Sequence, residues 1–202
     1  MISIRTVYGT LLNSQDEFEQ WRPRMGDAPY KAPPKAPVLY IKPANTWSCD
    51  GAPIGLPPHA AQVEVGATIG LVMEAPGQVG GHVLLNDLSL PHESYFRPPV
   101  KFKCLDGFLA IGAVAEATRD PAQYAIEVRI NGELRQAVRF DRLVRDPQRL
   151  LADVGEFMTL GAGDVLMLGL AAGRPLARPG DVVELRCAGL GTLTNRLVAE
   201  AA

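Results

Sequence analysis

Alternation of apolar and polar positions is the strongest regularity in the chain. Across residues 60–73, Val63, Val65, Ala67, Ile69 and Leu71 alternate with Gln62, Glu64, Gly66, Thr68 and Gly70. A period of two predicts one long strand with a buried face. On such a strand Gln62 and Glu64 share the face opposite the aliphatic positions. Shorter runs predict strands over Val38–Lys42 and residues 81–87, 107–113, 165–170, 181–186 and 192–198. Residues 124–130 and 133–138 flank Asn131-Gly132, a pair that tolerates the positive φ angles of a tight hairpin turn.

Helical spacing is confined to two places. Ser14 and Glu17 have the spacing of a capping box, and Phe18 and Trp21 fall three apart behind it. Asp146-Pro147 is a cap followed by a residue suited to the first helical position. Leu150, Leu151, Val154, Phe157 and Met158 continue that second helix until Gly161-Ala-Gly-Asp164 stops it. Residues 26–37 hold four prolines and are expected to be an extended connector. Many strands with few short helices disfavour a parallel α/β layout. With no repeat and no break in composition, the expectation is a single, mainly β (α+β) domain over residues 1–202.

Composition narrows the partners. Lys and Arg total 20 against 22 Asp and Glu, a net charge of −2. That balance argues against nucleic acid or an anionic membrane surface as partner. The hydrophobic fraction of 47% suffices for a core. The 20 glycines and 17 prolines suit a chain that turns often. No basic-then-apolar leader opens the sequence, and the longest apolar run is far below the ~20 residues of a membrane helix. Cys49, Cys104 and Cys187 are odd in number and widely spaced. They predict reduced thiols and a cytoplasmic protein.

Nucleotide-binding glycine loops and a Gly-x-Ser-x-Gly elbow are absent from the sequence. His59, His82 and His92 are scattered and are expected at loops or the surface rather than on zinc. Asp87 ends a predicted strand beside Pro91-His-Glu93; it either faces a cleft or caps a turn. Glu64, by itself, reads as a solvated charge. Lys103 lies in the strand-like stretch 100–107, where a lysine is ordinarily a solvated edge charge. Arg97, between Tyr95, Phe96 and Pro98, either grips a carboxylate with its planar fork or stacks on those rings.

Seven ordered cues carry more. They are Lys42-Pro-Ala-Asn-Thr46, Val65-Gly-Ala-Thr-Ile-Gly-Leu-Val72, Asn86-Asp87 and Lys103-Cys-Leu-Asp-Gly107. Asn131-Gly-Glu-Leu-Arg-Gln136 follows, then Glu156-Phe-Met-Thr-Leu160 with Gly163-Asp164, then Pro179-Gly-Asp181 before Gly189-Leu-Gly191. In this order they resemble the fumarylacetoacetate hydrolase family over nearly the whole chain. Tyr30-Lys-Ala-Pro-Pro-Lys35 and the stretch 87–98 resemble a branch that serves aromatic-acid catabolism with two such domains, fused or as separate subunits. The fold implied is a fumarylacetoacetase-like mixed β-sandwich or β-roll. The chemistry implied is isomerisation or decarboxylation of a dicarboxylic or tricarboxylic 2-oxo acid through an enolate. A divalent cation, Mg2+, held by carboxylate oxygens would stabilise that enolate.

The resemblance places the metal ligands at Glu64 and Asp87, with Gln62 where the family has its first glutamate. An amide there is expected to weaken Mg2+ binding. A family His/Glu dyad falls at Glu17 and Gln20, and a Thr-Pro pair falls at Leu170-Ala171. Lys103 and Glu17 are the candidate acid/base residues. Arg97, Gln136 and Lys42 are the candidate substrate contacts, and Asp106 is also retained. Either a paralogous partner subunit holds the complete metal site, or this chain works through its own altered one. A drifted, non-catalytic scaffold or an acylpyruvate C–C hydrolase is the alternative. The apolar faces of the 147–158 helix and the sheets predict a homodimer or a heteromer.

Overall fold

The structure, a computed structural model, describes residues 3–94 and 99–200. In chain order, β1 (Thr6–Leu11) leads into α1 (Gln15–Trp21), β2 (Val38–Lys42), β3 (Trp47–Cys49), β4 (Ile54–Leu56) and β5 (Val63–Glu64). Then come β6 (Ala67–Ala75), β7 (Gln78–Asp87), α2 (Val100–Lys103), β8 (Leu109–Glu116), β9 (Ala125–Ile130) and β10 (Glu133–Arg139). α3 (Pro147–Gly155), β11 (Asp164–Met167), β12 (Leu176–Ala177), β13 (Val182–Cys187) and β14 (Gly191–Ala199) complete the domain. A seven-stranded sheet runs β2-β1-β11-β6-β7-β8-β3, a five-stranded sheet runs β10-β9-β13-β14-β4, and β12 pairs with β5 alone. This is the mainly β, mixed-sheet fold expected from the sequence.

Strand alternation explains why the larger sheet has two apolar faces. Ile69, Leu71, Met73 and Leu84 pack with Ile126, Val128, Leu185 and Leu193 of the smaller sheet to form the main core. Their neighbours Val72, Val83 and Leu85 point the other way and pack with Leu12, Met25, Phe18 and Trp21. α1 and the turn behind it thus cover the second face. The hairpin forms at Asn131-Gly132, with φ of 53° and 82°, and the Asn131 side chain ties it to Asp181 and Val182. Asp146 caps α3 by accepting the Arg149 N–H at 2.8 Å.

Several expectations fail, each for a local reason. The strand over 60–73 is two strands, β5 and β6, because the chain turns away at Val65-Gly66 to let Asp87 approach. Asp87 donates its N–H to the Gly66 carbonyl at 2.8 Å. A Cβ on Gly66 would lie 2.2 Å from the Asp87 carbonyl oxygen, so only glycine fits. Residues 100–103 form a helical turn rather than an edge strand, and Lys103 is buried. α3 ends at Gly155, which leaves Phe157 exposed. β11 ends at Met167, three residues short of the expected end. Ser14 starts α1 but turns its hydroxyl to the Asp16 carboxylate instead of capping. His82 is not at the surface: it is buried on β7, 3.3 Å from the Tyr124 hydroxyl.

Candidate functional site

Three chain crossings converge on one buried group of charges. The first is the break between β5 and β6. Glu64 exchanges backbone hydrogen bonds with Ser89, and β12 pairs alongside it, with Leu176 opposite Glu64. Val65 donates its N–H to the Pro175 carbonyl at 2.9 Å. That pairing sets Arg174, the residue before Pro175, beside Glu64. Arg174 Nε donates to Glu64 Oε2 at 2.8 Å.

The second is the first turn of α1. Leu12 holds a left-handed φ of 59°, which sends the chain into the helix with Glu17 facing inward. Glu17 Oε2 accepts the Leu12 N–H at 2.8 Å, and Oε1 accepts Arg174 Nη1 at 2.9 Å. One guanidinium therefore bridges two carboxylates. Burial pushes the Glu17 carboxyl up, and Arg174 only partly offsets it. Burial works against the Arg174 charge, but Glu17 and Glu64 outweigh it and hold the guanidinium above its ordinary range.

The third is the end of β7. Asp87 is completely buried, with Lys103 Nζ 2.8 Å from Oδ2 and Lys42 Nζ 2.9 Å from Oδ1. Tyr40 donates its hydroxyl to the same Oδ2. Burial alone would raise the carboxyl, yet Lys103 and Lys42 prevail and hold it at about 2. Lys42 also donates to the Lys103 and Phe108 carbonyls. Burial lowers its ammonium, although Asp87 opposes the shift. The Tyr40 hydroxyl is pushed well above its ordinary range by burial, and then by Asp87.

Of the candidate residues, Glu17, Glu64, Asp87, Lys42 and Lys103 all belong to these crossings. Glu64 is ion-paired rather than solvated, and Lys103 is an internal cation rather than an edge charge. Gln62 precedes β5 and is half-buried. Gln136 lines a cavity of about 210 Å³ with Ser14, Asp16 and Ala171, and donates to the Ala172 carbonyl at 2.7 Å. Asp106 accepts from Asn45 at an exposed turn. Arg97 lies outside the described residues. Arg174 was missed. Its sequence signal is a single charged residue in the otherwise uncharged stretch 168–175.

These groups do not fit a divalent cation. Glu17, Glu64 and Asp87 supply three negative charges, and Arg174, Lys42 and Lys103 already balance them. Asp87 Oδ1 accepts no hydrogen bond, but the Lys42 ammonium stands where an ion would have to come. An ion would add positive charge beside fixed cations at poor dielectric screening. Among the described residues, no group of three or more His, Cys, Asp or Glu side chains is arranged to hold a metal. Within this balanced group the Glu17 carboxyl, raised by burial, is the one suited to proton transfer.

The chain is a curled, mixed-sheet domain with its charges gathered where β5, β7 and α1 meet. The chain belongs to the fumarylacetoacetate hydrolase family, matching the family's C-terminal domain over residues 6–198. It is 38% identical, over 96% of its length, to the 4-hydroxyphenylacetate degradation bifunctional isomerase/decarboxylase of Salmonella dublin. It is 35% identical to the homoprotocatechuate catabolism bifunctional isomerase/decarboxylase of Escherichia coli, again over 96%. The chain spans about half the length of these relatives, 47% and 48%. Its structure resembles a 5-carboxymethyl-2-hydroxymuconate delta-isomerase from Mycobacterium smegmatis, with TM-score 0.82 and 26% identity over all of this chain and 81% of that one. The fold also matches a fumarylpyruvate hydrolase from Pseudomonas aeruginosa in complex with Mn2+ and pyruvate, with TM-score 0.84, 20% identity and coverage of 98% and 91%. Members of the family thus include isomerases, decarboxylases and hydrolases. Among the described residues, no helix is long and apolar enough to cross a membrane.

Proposed function

We propose that this chain is one of two related halves of an isomerase/decarboxylase in homoprotocatechuate catabolism, and that its paralogous partner holds the divalent ion. The substrates in this reading are 2-hydroxyhepta-2,4-diene-1,7-dioate and the tricarboxylic 2-oxo acid that yields it on losing CO₂. The bound ion would supply a Lewis acid for the oxygen on which enolate charge develops. This chain's own contribution is a charge-balanced companion domain.

The observation that carries the reading is the satisfaction of Glu17, Glu64 and Asp87 by cations of the chain itself. The identity to the bifunctional isomerase/decarboxylases supports the reaction class. A second reading, in which this chain handles protons itself, is favoured by one feature. The Glu17 carboxyl is raised by burial, as a general acid requires.

The test uses the purified chain with Mg2+, alone and mixed with its metal-bearing paralogue. Loss of conjugated-diene absorbance is expected only in the mixture. Brisk isomerisation by the lone chain would overturn the division of labour and favour the second reading.

A further inference from the structure

The cavity of about 210 Å³ beside α1 shares its walls with the segments that carry the buried charges. On one side Ser14 and Asp16 lead directly into Glu17. On another, the Ala171 carbonyl accepts Arg174 Nη1 at 3.2 Å. β10 and the turn after it close the space with Gln136, Arg139, Asp141 and Arg142.

Most polar groups around this space are already satisfied by the chain. Asp16 Oδ1 accepts the Ser14 hydroxyl and the Glu17 N–H, and Oδ2 accepts the Ala172 N–H at 3.2 Å. Arg139 Nε lies 3.4 Å from Asp141 Oδ2, so those two charges answer each other. The Gln136 amide nitrogen donates to the Ala172 and Gly173 carbonyls, which can only accept. That fixes the orientation of the amide and leaves Oε1 as an acceptor with no partner among the described residues. Arg142 is the remaining group. It is exposed, and its backbone carbonyl accepts the Gln15 N–H. Its guanidinium forms no ion pair or hydrogen bond among the described residues. The unmet groups are therefore one planar cationic fork and one carbonyl oxygen. Their complement is a small molecule with a carboxylate for the fork and a hydroxyl for the oxygen.

We propose that this cavity binds a small hydroxycarboxylate, with Arg142 gripping the carboxylate and Gln136 Oε1 accepting from the hydroxyl, and that Arg142 sets the preference for acids. Arg142 has no part in the family resemblance, and a ligand site on this chain goes beyond the functional reading above. 2-Hydroxyhepta-2,4-diene-1,7-dioate, with its enol and carboxylates, belongs to this ligand class. On that reading, the companion half also holds the molecule that its partner transforms. The match to that substrate rests on the functional reading; the chemistry of the cavity does not.

The test is calorimetric titration of the purified chain with 2-hydroxyheptanedioate, a saturated probe that cannot isomerise. One molecule is expected to bind per chain. Heptanedioate, which lacks the hydroxyl, should bind severalfold more weakly. Arg142→Gln should weaken both probes by on the order of tenfold or more. That variant should fold, because the side chain it removes bonds to nothing in the chain. Arg135→Gln, on β10 but outside the cavity, removes the same charge and should leave affinity unchanged. No binding by wild type overturns the proposal. So does a folded Arg142→Gln chain that binds as wild type does, or equal weakening by Arg135→Gln, the mark of a general attraction for anions. Equal affinity for the two probes overturns the role of Gln136. Turnover of the dienol by the lone chain would instead sink the division of labour and leave this inference standing.

Discussion

The two sheets carry similar ion pairs in opposite settings. On the five-stranded sheet, Arg135–Glu133 is 2.7 Å long with both side chains more than half exposed. Arg129–Glu127 and Arg186–Glu184 are further pairs on the same sheet, each with one partner about half exposed. Water screens each partner there, and losing one leaves the other solvated. At the mouth of the seven-stranded sheet, Asp87, Lys42 and Lys103 are at most 1% exposed. There each charge exists only because its partners do. Pair length is nearly the same in both regions, so burial alone separates decoration from a constraint on the fold.

That contrast breaks first at Asp87. Asp87→Ala strands two buried ammonium groups and is expected to cost roughly 3–5 kcal/mol, measured by urea unfolding. A loss below about 1 kcal/mol would mean the lysines find water, and the burial argument would fail.

A smaller effect should follow from acid. The Asp87 carboxyl titrates at about 2 in the fold, below its ordinary 3.8. Its contribution is therefore complete above the unfolded value and lost as pH falls from about 4 toward 2. The shift is worth about 2 kcal/mol. Glu17 works in the opposite sense, because its raised carboxyl is relieved by protonation. Unfolding free energy should drop in wild type as pH falls from about 4 toward 2. The Glu17 effect lies above its ordinary 4.5, so Glu17→Gln should remove a gain in stability seen as pH falls toward that value.

The smallest effect belongs to the other sheet. Arg135→Ala is expected to change stability by less than about 1 kcal/mol and to lose even that difference in high salt. A larger, salt-independent loss would show that exposure does not separate the two regions.

Much of the fold was legible because its signals are local. Short apolar runs found β2, β7 and β13, Asn131-Gly132 found the hairpin, and Asp146-Pro147 found α3. The break after Glu64 was not legible. Alternation runs through Val65-Gly66 without interruption, and the reason for the turn, the Asp87 backbone, lies about twenty residues on. Lys103 failed similarly, since nothing around residues 100–107 shows that Asp87 waits to pair with it. Glu64 and Asp87 were named through resemblance together with Lys42 and Lys103, but the pairing of both lysines with Asp87 was not, and Arg174, the partner of Glu64, was missed. Arg174 is recognisable only once β12 folds back on β5, which no spacing near it announces.

The central claim is that fixed cations of the chain itself hold these carboxylates. Crystals of the lone chain soaked in Mn2+ test it most directly, through the anomalous signal at the pocket. The account predicts no peak among Glu17, Glu64 and Asp87, with the Arg174 guanidinium in place between the two glutamates. A strong peak there with Arg174 swung out would contradict it.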